Sequence, residues 1–395
     1  MPRWLYAVIL CVPAAIVARF LGLPELLIFG LAALGLIPIA ALIGKSTEEL
    51  AHHFGPRAGG LLNATFGNAA ELIITAFAIA RGLTVLTKAA ITGSIIGNAL
   101  LALGLALLAG GLRHGHQRFD RRQASLNAAM MILAVGGLYL PATFAASVTA
   151  QPVIERLSIL IAAVLLVIYL AYLVYTVVQG EPSAPANVAL EAAPHSQHPE
   201  RATGRRGGEQ GEDKGGDKGG DKRDTAGKGT AADKAGAAGW SVWQGLAALC
   251  GATVGAAVAG EVLVDTVEAV TTQLGWSEFF VGVIIVAVVG NAGELFGAIR
   301  MAWHNRLNVS LAIGAGSSMQ VALLVAPVLV FFSLIVGHPL DLVFQPVELV
   351  IIGLATAIFA YISIDGRSNW LEGAQLLALY LMAAVVFFFL PLPRS

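Results

Sequence analysis

Charge is what this sequence has least of. Only 12% of its 395 residues are Asp, Glu, Lys or Arg, against 57% hydrophobic, where a soluble globular protein carries about 25% charged residues. With a mean hydropathy of +0.76, this excludes a soluble protein and indicates an integral membrane protein whose first partner is the lipid bilayer. The net charge is -1, so the basic footprint of a nucleic-acid binder is missing. Cysteine is nearly absent. Cys11 and Cys250 sit in separate apolar runs with no His or Cys beside them, which argues against a disulfide framework or a zinc site. No HExxH occurs, leaving a metalloprotease without support. The "GAGSS" stretch around Ser317 has no mid-membrane His to partner it. The chain is therefore not read as an enzyme, and nothing in it calls for a cofactor.

Apolar runs of spanning length are abundant. About 20 apolar residues cross about 30 Å of hydrocarbon. Eleven stretches qualify: 5–21, 23–44, 61–81, 88–112, 125–146, 154–179, 242–272, 279–303, 307–337, 346–363 and 373–392. The first, after Arg3, is read as a span rather than a signal peptide, because Pro13 and Arg19 spoil a cleavage pattern. The expected fold is all-α and polytopic. It divides into a first helix (1–22), a five-helix unit (23–180), a linker (181–239) and a second five-helix unit (240–395). The linker contains "GEDKGGDKGGDKRD", with ten acidic and nine basic residues; it cannot bury a core and reads as a disordered tether.

Lys and Arg in the short loops set the orientation. With the N-terminus in the cytoplasm, ten lie inside and five outside, which puts the tether in the cytoplasm too. Compact loops and an Ala/Gly-rich composition fit a prokaryotic plasma (inner) membrane. A homo-oligomer is compatible with the sequence.

Adding 223 to positions in the first half reaches the second. Gly67, Asn68, Ala69 and Glu71 meet Gly290, Asn291, Ala292 and Glu294. Gly93 and Ser94 meet Gly316 and Ser317, and "ALL" at 99–101 meets "ALL" at 322–324. One offset across two helices marks an internal duplication. The third and eighth spans lie five crossings apart, so the copies enter the membrane in opposite directions. Inverted repeats of this kind are a transporter architecture with the site at the midplane.

Glu71 and Glu294 are the anomaly in these apolar runs. A mid-bilayer charge costs about 2.5–3.5 kcal/mol on insertion scales, and two nearby would repel. Protons, a cation, or each in turn must offset that cost. Calcium takes 6–8 oxygen ligands at about 2.3–2.6 Å. Two carboxylates, backbone carbonyls, amide oxygens and water would suit it. Gly67 and Gly290 let the backbone loosen and bring carbonyls close; Asn68 and Asn291 offer amide oxygens or tie down freed backbone groups. Without a cation the pair takes up at least one proton, since burial and like charge both disfavour ionisation. Cation and proton then compete for the same oxygens.

Asn98, Ser94, Ser317, Ser318 and Gln320 lie on the fourth and ninth spans and are candidates to line or support the site, or to act as interhelical glue. Glu48, Glu49, Glu261 and Asp265, on the second and seventh spans, are candidates to collect cations at the entries or to pass protons.

The motifs "GNAAELI", "GNAGEL", "SIIGNALLALG", "GSSMQVALLVAPVL" and "DGRSNWLEGAQLLALYL" give the chain a specific resemblance to the calcium/proton exchanger (CAX) family of the cation/calcium exchanger superfamily. The likeness covers nearly everything except 181–239. It implies one extra helix plus two inverted five-helix halves, with Glu71 and Glu294 as the essential ion-binding acids. It also implies that Asn68, Asn291 and the carbonyls near Gly67 and Gly290 line the site, and that the long second and seventh spans slide. The implied activity is exchange of Ca2+ for H+ by alternating access, with both ions as substrates. A sodium-coupled exchanger of calcium or another divalent cation on the same scaffold is the alternative. Sodium/calcium relatives tend to have Ser or Thr and Pro around the acid, and the Asn and Ala found here argue against it.

Overall fold

Every expected apolar run that can be followed is helical. The computed structural model describes residues 7–148, 150–179 and 240–390. Along them run α1 (Cys11–Phe20), α2 (Glu25–Phe66), α3 (Ala69–Ala80), α4 (Thr84–His114), α5 (Arg121–Ala145) and α6 (Gln151–Gln179). After the expected tether, which lies outside the described residues, come α7 (Val242–Leu274), α8 (Glu278–Gly290), α9 (Ala292–Trp303), α10 (Leu307–Val336), α11 (Pro346–Asp365) and α12 (Trp370–Phe388).

Local chemistry sets several ends. Ser241 and Gln244 form a capping box at the start of α7, and Gln345 and Glu348 do the same for α11, satisfying first-turn N–H groups that would otherwise lack acceptors. Gly275 and Gly337, at φ +66 and +79, close α7 and α10 in the left-handed region that glycine adopts without strain.

Two departures from the sequence reading matter. The stretch between the second and third expected spans is helical, so α2 is 42 residues long, about 63 Å at 1.5 Å per residue. Ser46 and Thr47 stay in the helix by donating to the carbonyls of Leu42 and Ile43. The expected span 61–81 is therefore split, its first residues ending α2 and the rest forming the 12-residue α3. Likewise 279–303 breaks at Asn291 into α8 and α9, bent by 57°. Among the described residues eight helices are long and apolar enough to span a bilayer, nine with the α8–α9 pair, and α1 and α3 are shorter apolar helices. Length alone thus does not reach the expected eleven.

Two apolar cores organise the bundle. One gathers α1, α2 and α7 with faces of α3 and α8. The other gathers α4, α5, α6 and α10 to α12 with parts of α9 and α8. A two-residue antiparallel ladder, Gln117–Arg118 with Arg367–Ser368, ties the α4–α5 loop to the α11–α12 loop. Both α4 and α10 widen into π-helix, at Gly97–Ala102 and Val321–Val325. The offset of 223 relates the two widenings, and such widenings cluster at functional sites.

Candidate functional site

The two GNA motifs each break a helix at their asparagine. Asn68 (φ -103, ψ 27) caps α3 and Asn291 (φ -87, ψ 12) caps α9. An N-cap Asn ordinarily accepts a bond from its own first turn; neither side chain does so here. Both amides are used between helices instead. Asn68 Nδ2 donates to Gln320 Oε1 at 2.7 Å, and Asn68 Oδ1 accepts from Ser317 Oγ at 2.8 Å. Asn291 Nδ2 donates to Ser94 Oγ at 2.8 Å and to the Ala287 carbonyl at 2.7 Å. Asn98 Nδ2 completes the chain, donating to Asn291 Oδ1 at 2.5 Å and Ser317 Oγ at 2.9 Å. Each motif asparagine is thereby bonded to the polar helix of the opposite half, Asn68 to α10 and Asn291 to α4.

Glu71 and Glu294 sit third in α3 and α9, where the helix dipole favours negative charge. Glu71 is buried, at 4% exposure, while Glu294 is half-buried and lies within electrostatic reach of it. Gly290 lies against Glu71: a Cβ there would stand 3.1 Å from Glu71 Cγ. Gly290 is still helical, so its contribution here is room for the carboxylate rather than a loosened backbone. The turn between α2 and α3 falls at Gly67 and Asn68.

Both carboxylate oxygens of Glu71 and Oδ1 of Asn98 are buried with no donor. A buried acceptor left without a partner costs about 1–3 kcal/mol, more if charged. Both amide hydrogens of Asn98 are already committed, which fixes Oδ1 as an acceptor. The Glu71 carboxylate lies beside Gly290, and Asn98 is bonded to Asn291, the next residue. These donorless oxygens therefore belong to one neighbourhood, and such acceptors suit a proton or a metal ion. Among the described residues no three His, Cys, Asp or Glu cluster as a metal site; the arrangement is two carboxylates amid amides and hydroxyls.

The remaining candidates lie elsewhere. Ser318 Oγ donates to the carbonyls of Ile95 and Gly314 at 3.0 Å, a packing contact between α10 and α4. Glu49 Oε2 accepts from the Trp240 backbone at 3.2 Å, and Glu48 is within electrostatic reach of His52, Arg300 and Lys45. Glu261 and Asp265 are ion-paired with Arg81, and Asp265 with Arg19 as well. The sequence reading missed buried Glu348, which accepts from Thr92 Oγ1 at 2.6 Å and from the Gln345 N–H. It also missed the Lys88–Asp341 pair at 2.5 Å. The signal for Glu348 was present: a carboxylate three residues after Gln345, with Pro346 between, at the head of an apolar run.

Residues 24–178 and 244–389 match the profile of the family described as sodium/calcium exchanger protein. A protein of Aphanothece halophytica described as "Ca(2+)/H(+) antiporter" is 38% identical over 395 residues, 98% of this chain and 96% of that one. The "Ca(2+)/H(+) antiporter ChaA" of Bacillus subtilis is 36% identical over 96% of this chain and 97% of its own. Among solved structures, the "Ca2+/H+ antiporter" YfkE superposes with a TM-score of 0.77 at 33% identity, covering 98% of this chain and 100% of that one.

Proposed function

The chain belongs to the sodium/calcium exchanger protein family, an integral membrane transporter, and on that premise we propose that it exchanges Ca2+ for H+ by alternating access. Glu71 and Glu294 hold either the cation or protons at the centre of the bilayer. The observation that carries this is the set of donorless buried oxygens, Glu71 Oε1, Glu71 Oε2 and Asn98 Oδ1, with Glu294 in electrostatic reach.

Asn98 Oδ1 and the carbonyls near Gly67 and Gly290 complete the cation's oxygen shell. Asn68, Asn291, Ser94, Ser317 and Gln320 hold the two half-helices in register across the repeat. The two five-helix units, 23–180 and 240–395, are the inverted halves. The excess of Lys and Arg supports a cytoplasmic location for the N-terminus, 181–239 and the Arg300 end of the bundle, in a prokaryotic plasma membrane. Relatives described as "Ca(2+)/H(+) antiporter" support proton coupling over sodium coupling.

The test is calcium movement in vesicles with an imposed pH gradient and no sodium. Accumulation that a protonophore abolishes is the expected result. Movement that required sodium, or ran only down the calcium gradient, would overturn the reading.

A further inference from the structure

The two ends of the bundle are not in the same state. α4 starts beside the end of α3 and finishes at His114, which bonds the Trp303 carbonyl at the end of α9 at 2.9 Å. The far ends of α3 and α9 are therefore separated by the 31 residues of α4, about 46 Å at 1.5 Å per residue. Each end carries an arginine, Arg81 capping α3 and Arg300 in the last turn of α9.

At the Arg81 end the gap is shut. Arg81 pairs with Asp265 and, at 3.6 Å, with Glu261, both on α7. Arg19 of α1 pairs with the same Asp265 at 2.8 Å, although the Asp265 side chain is only 9% exposed. Beneath the ions, between Glu71 and Arg81, α7 is pressed onto α3. A Cβ on Gly260 would lie 3.2 Å from Ile74 Cγ1. Glu71, on this side, is sealed.

The Arg300 end has the same kinds of residue without an ion pair between Arg300 and Glu48. Glu48 of α2 lies within electrostatic reach of Arg300, as of His52, Glu49 and Lys45. Arg19, Arg81 and Lys88 form ion pairs of 4.0 Å or less, whereas among the described residues none joins Arg300 to Glu48. The α2 backbone lies against the start of α9, where a Cβ on Gly293 would stand 3.1 Å from the Ala40 carbonyl. One turn past Glu294, a Cβ on Gly297 would meet, among the described residues, Ile313 of α10 at 3.5 Å. Glu294, on this side, is half-buried rather than sealed.

We propose that Arg81 with Asp265 and Glu261, and Arg300 with Glu48, are two ionic latches at opposite ends of the bundle that close in alternation, α1 reinforcing the first through Arg19. This rests on the alternating-access reading above and names the groups that hold each state. Because α2 and α7 share one apolar core, a movement that parts α7 from Arg81 carries α2 toward Arg300. Exposed ion pairs are individually weak, because water screens them and two long side chains must be ordered. That suits a latch which must open once per cycle, and the partly buried Asp265 makes the Arg81 end the firmer of the two.

The experiment uses the full chain carrying Cys11→Ala and Cys250→Ala, reconstituted in vesicles. Arg81→Cys with Asp265→Cys is joined by a short bis-thiosulfonate that reductant cleaves. Calcium/proton exchange should fall at least tenfold on cross-linking and return on reduction. If the ion cluster is fixed scaffolding, the cross-linked protein transports at the uncrosslinked rate, and that outcome overturns the latch, as does failure of this pair to cross-link. A second measurement needs no transport. In a Glu48→Cys/Arg300→Cys protein, adding Arg81→Gln should raise the cross-linking rate several-fold, because freeing one end favours closure of the other; an unchanged rate overturns the proposal. If the cysteine-free parent moved calcium only with sodium, the functional reading would fail while the cross-linking rates still judged the latch.

Discussion

The side-chain amide of Asn98 donates to the amide oxygen of Asn291 at 2.5 Å, joining the fourth helix to the cap of the ninth. With its other hydrogen on Ser317, Asn98 has only its buried, unpartnered oxygen left to offer. One residue therefore both braces the break in the second half and leaves an acceptor free, which couples the shape of the site to its charge.

Replacing Asn98 by Ala should accordingly do two separable things. It leaves Asn291 Oδ1 buried without its donor, a loss of about 1–3 kcal/mol in stability. It also removes a cation oxygen, weakening calcium binding by about tenfold or more, at 1.4 kcal/mol per decade. Asn98→Asp keeps an oxygen but loses the donor, so it should bind calcium better than Asn98→Ala while remaining destabilised. Calorimetric titration with calcium and thermal unfolding in detergent separate the two effects. Equal calcium affinity in wild type and Asn98→Ala would remove this residue from the ion's shell.

Glu71→Gln and Glu294→Gln should each abolish exchange, by about a hundredfold or more, since the loss of a charged ligand is worth upwards of 2–3 kcal/mol. Folding should survive in both. The measurement is calcium uptake driven by a pH gradient, with monodispersity in detergent as the control for folding. Exchange retained in either variant counts directly against the paired-acid site.

Gly290→Ala probes the contact between halves without touching a charge. The new methyl would sit 3.1 Å from Glu71 Cγ, tighter than a comfortable carbon contact of about 3.5–4.0 Å. The Glu71 carboxylate must shift, so transport should fall by about tenfold, on the scale of 1–3 kcal/mol for overpacking. Gly93→Ala makes the contrasting case. Its methyl would fall 2.6 Å from Ala287 Cβ and into the Val283 backbone, where α4 crosses α8, so lost thermal stability should dominate. Similar thermal stabilities for the two variants would contradict this division.

The repeat, the two acids and their asparagines were legible in the sequence because one offset of 223 preserves them. The same offset failed for Asn98 and Gln320. They perform equivalent bonds, to Asn291 and to Asn68, yet position 320 maps onto Gly97 and position 98 onto Val321. The π turns at these positions coincide under the offset at their ends and start one position apart, at Gly97 and Val321, and backbone geometry of that kind leaves no composition signal. The continuity of α2 through 45–60 was hidden for another reason. Charged and small residues read as a loop, but Ser46 and Thr47 bond back to their own helix. The sequence reading placed Arg81 among the outer-side charges and assigned it no partner; its pairing with Asp265 is a contact between residues 184 apart in number, beyond the reach of any local pattern.

Glu348 and Glu71 are both carboxylates buried among apolar helices, and their bonding sets them apart. Glu348 receives two donors, Thr92 Oγ1 at 2.6 Å and the Gln345 N–H at 2.6 Å; Glu71 receives none. A satisfied buried acid is a structural bond, whereas an unsatisfied one is held against its own cost for a ligand. Glu348→Ala should therefore lower stability by about 3 kcal/mol or more, leaving Thr92 and the first turn of α11 without their acceptor, while calcium affinity in the folded fraction stays unchanged. Glu71→Gln should do the reverse, keeping or raising the calcium-free unfolding temperature while exchange is lost. Thermal unfolding with and without calcium measures both: added calcium should raise the midpoint of Glu348→Ala as it does the wild type, and leave that of Glu71→Gln where it was. A calcium-stabilised Glu71→Gln protein would mean that the ion is held somewhere other than beside Gly290 and Asn98.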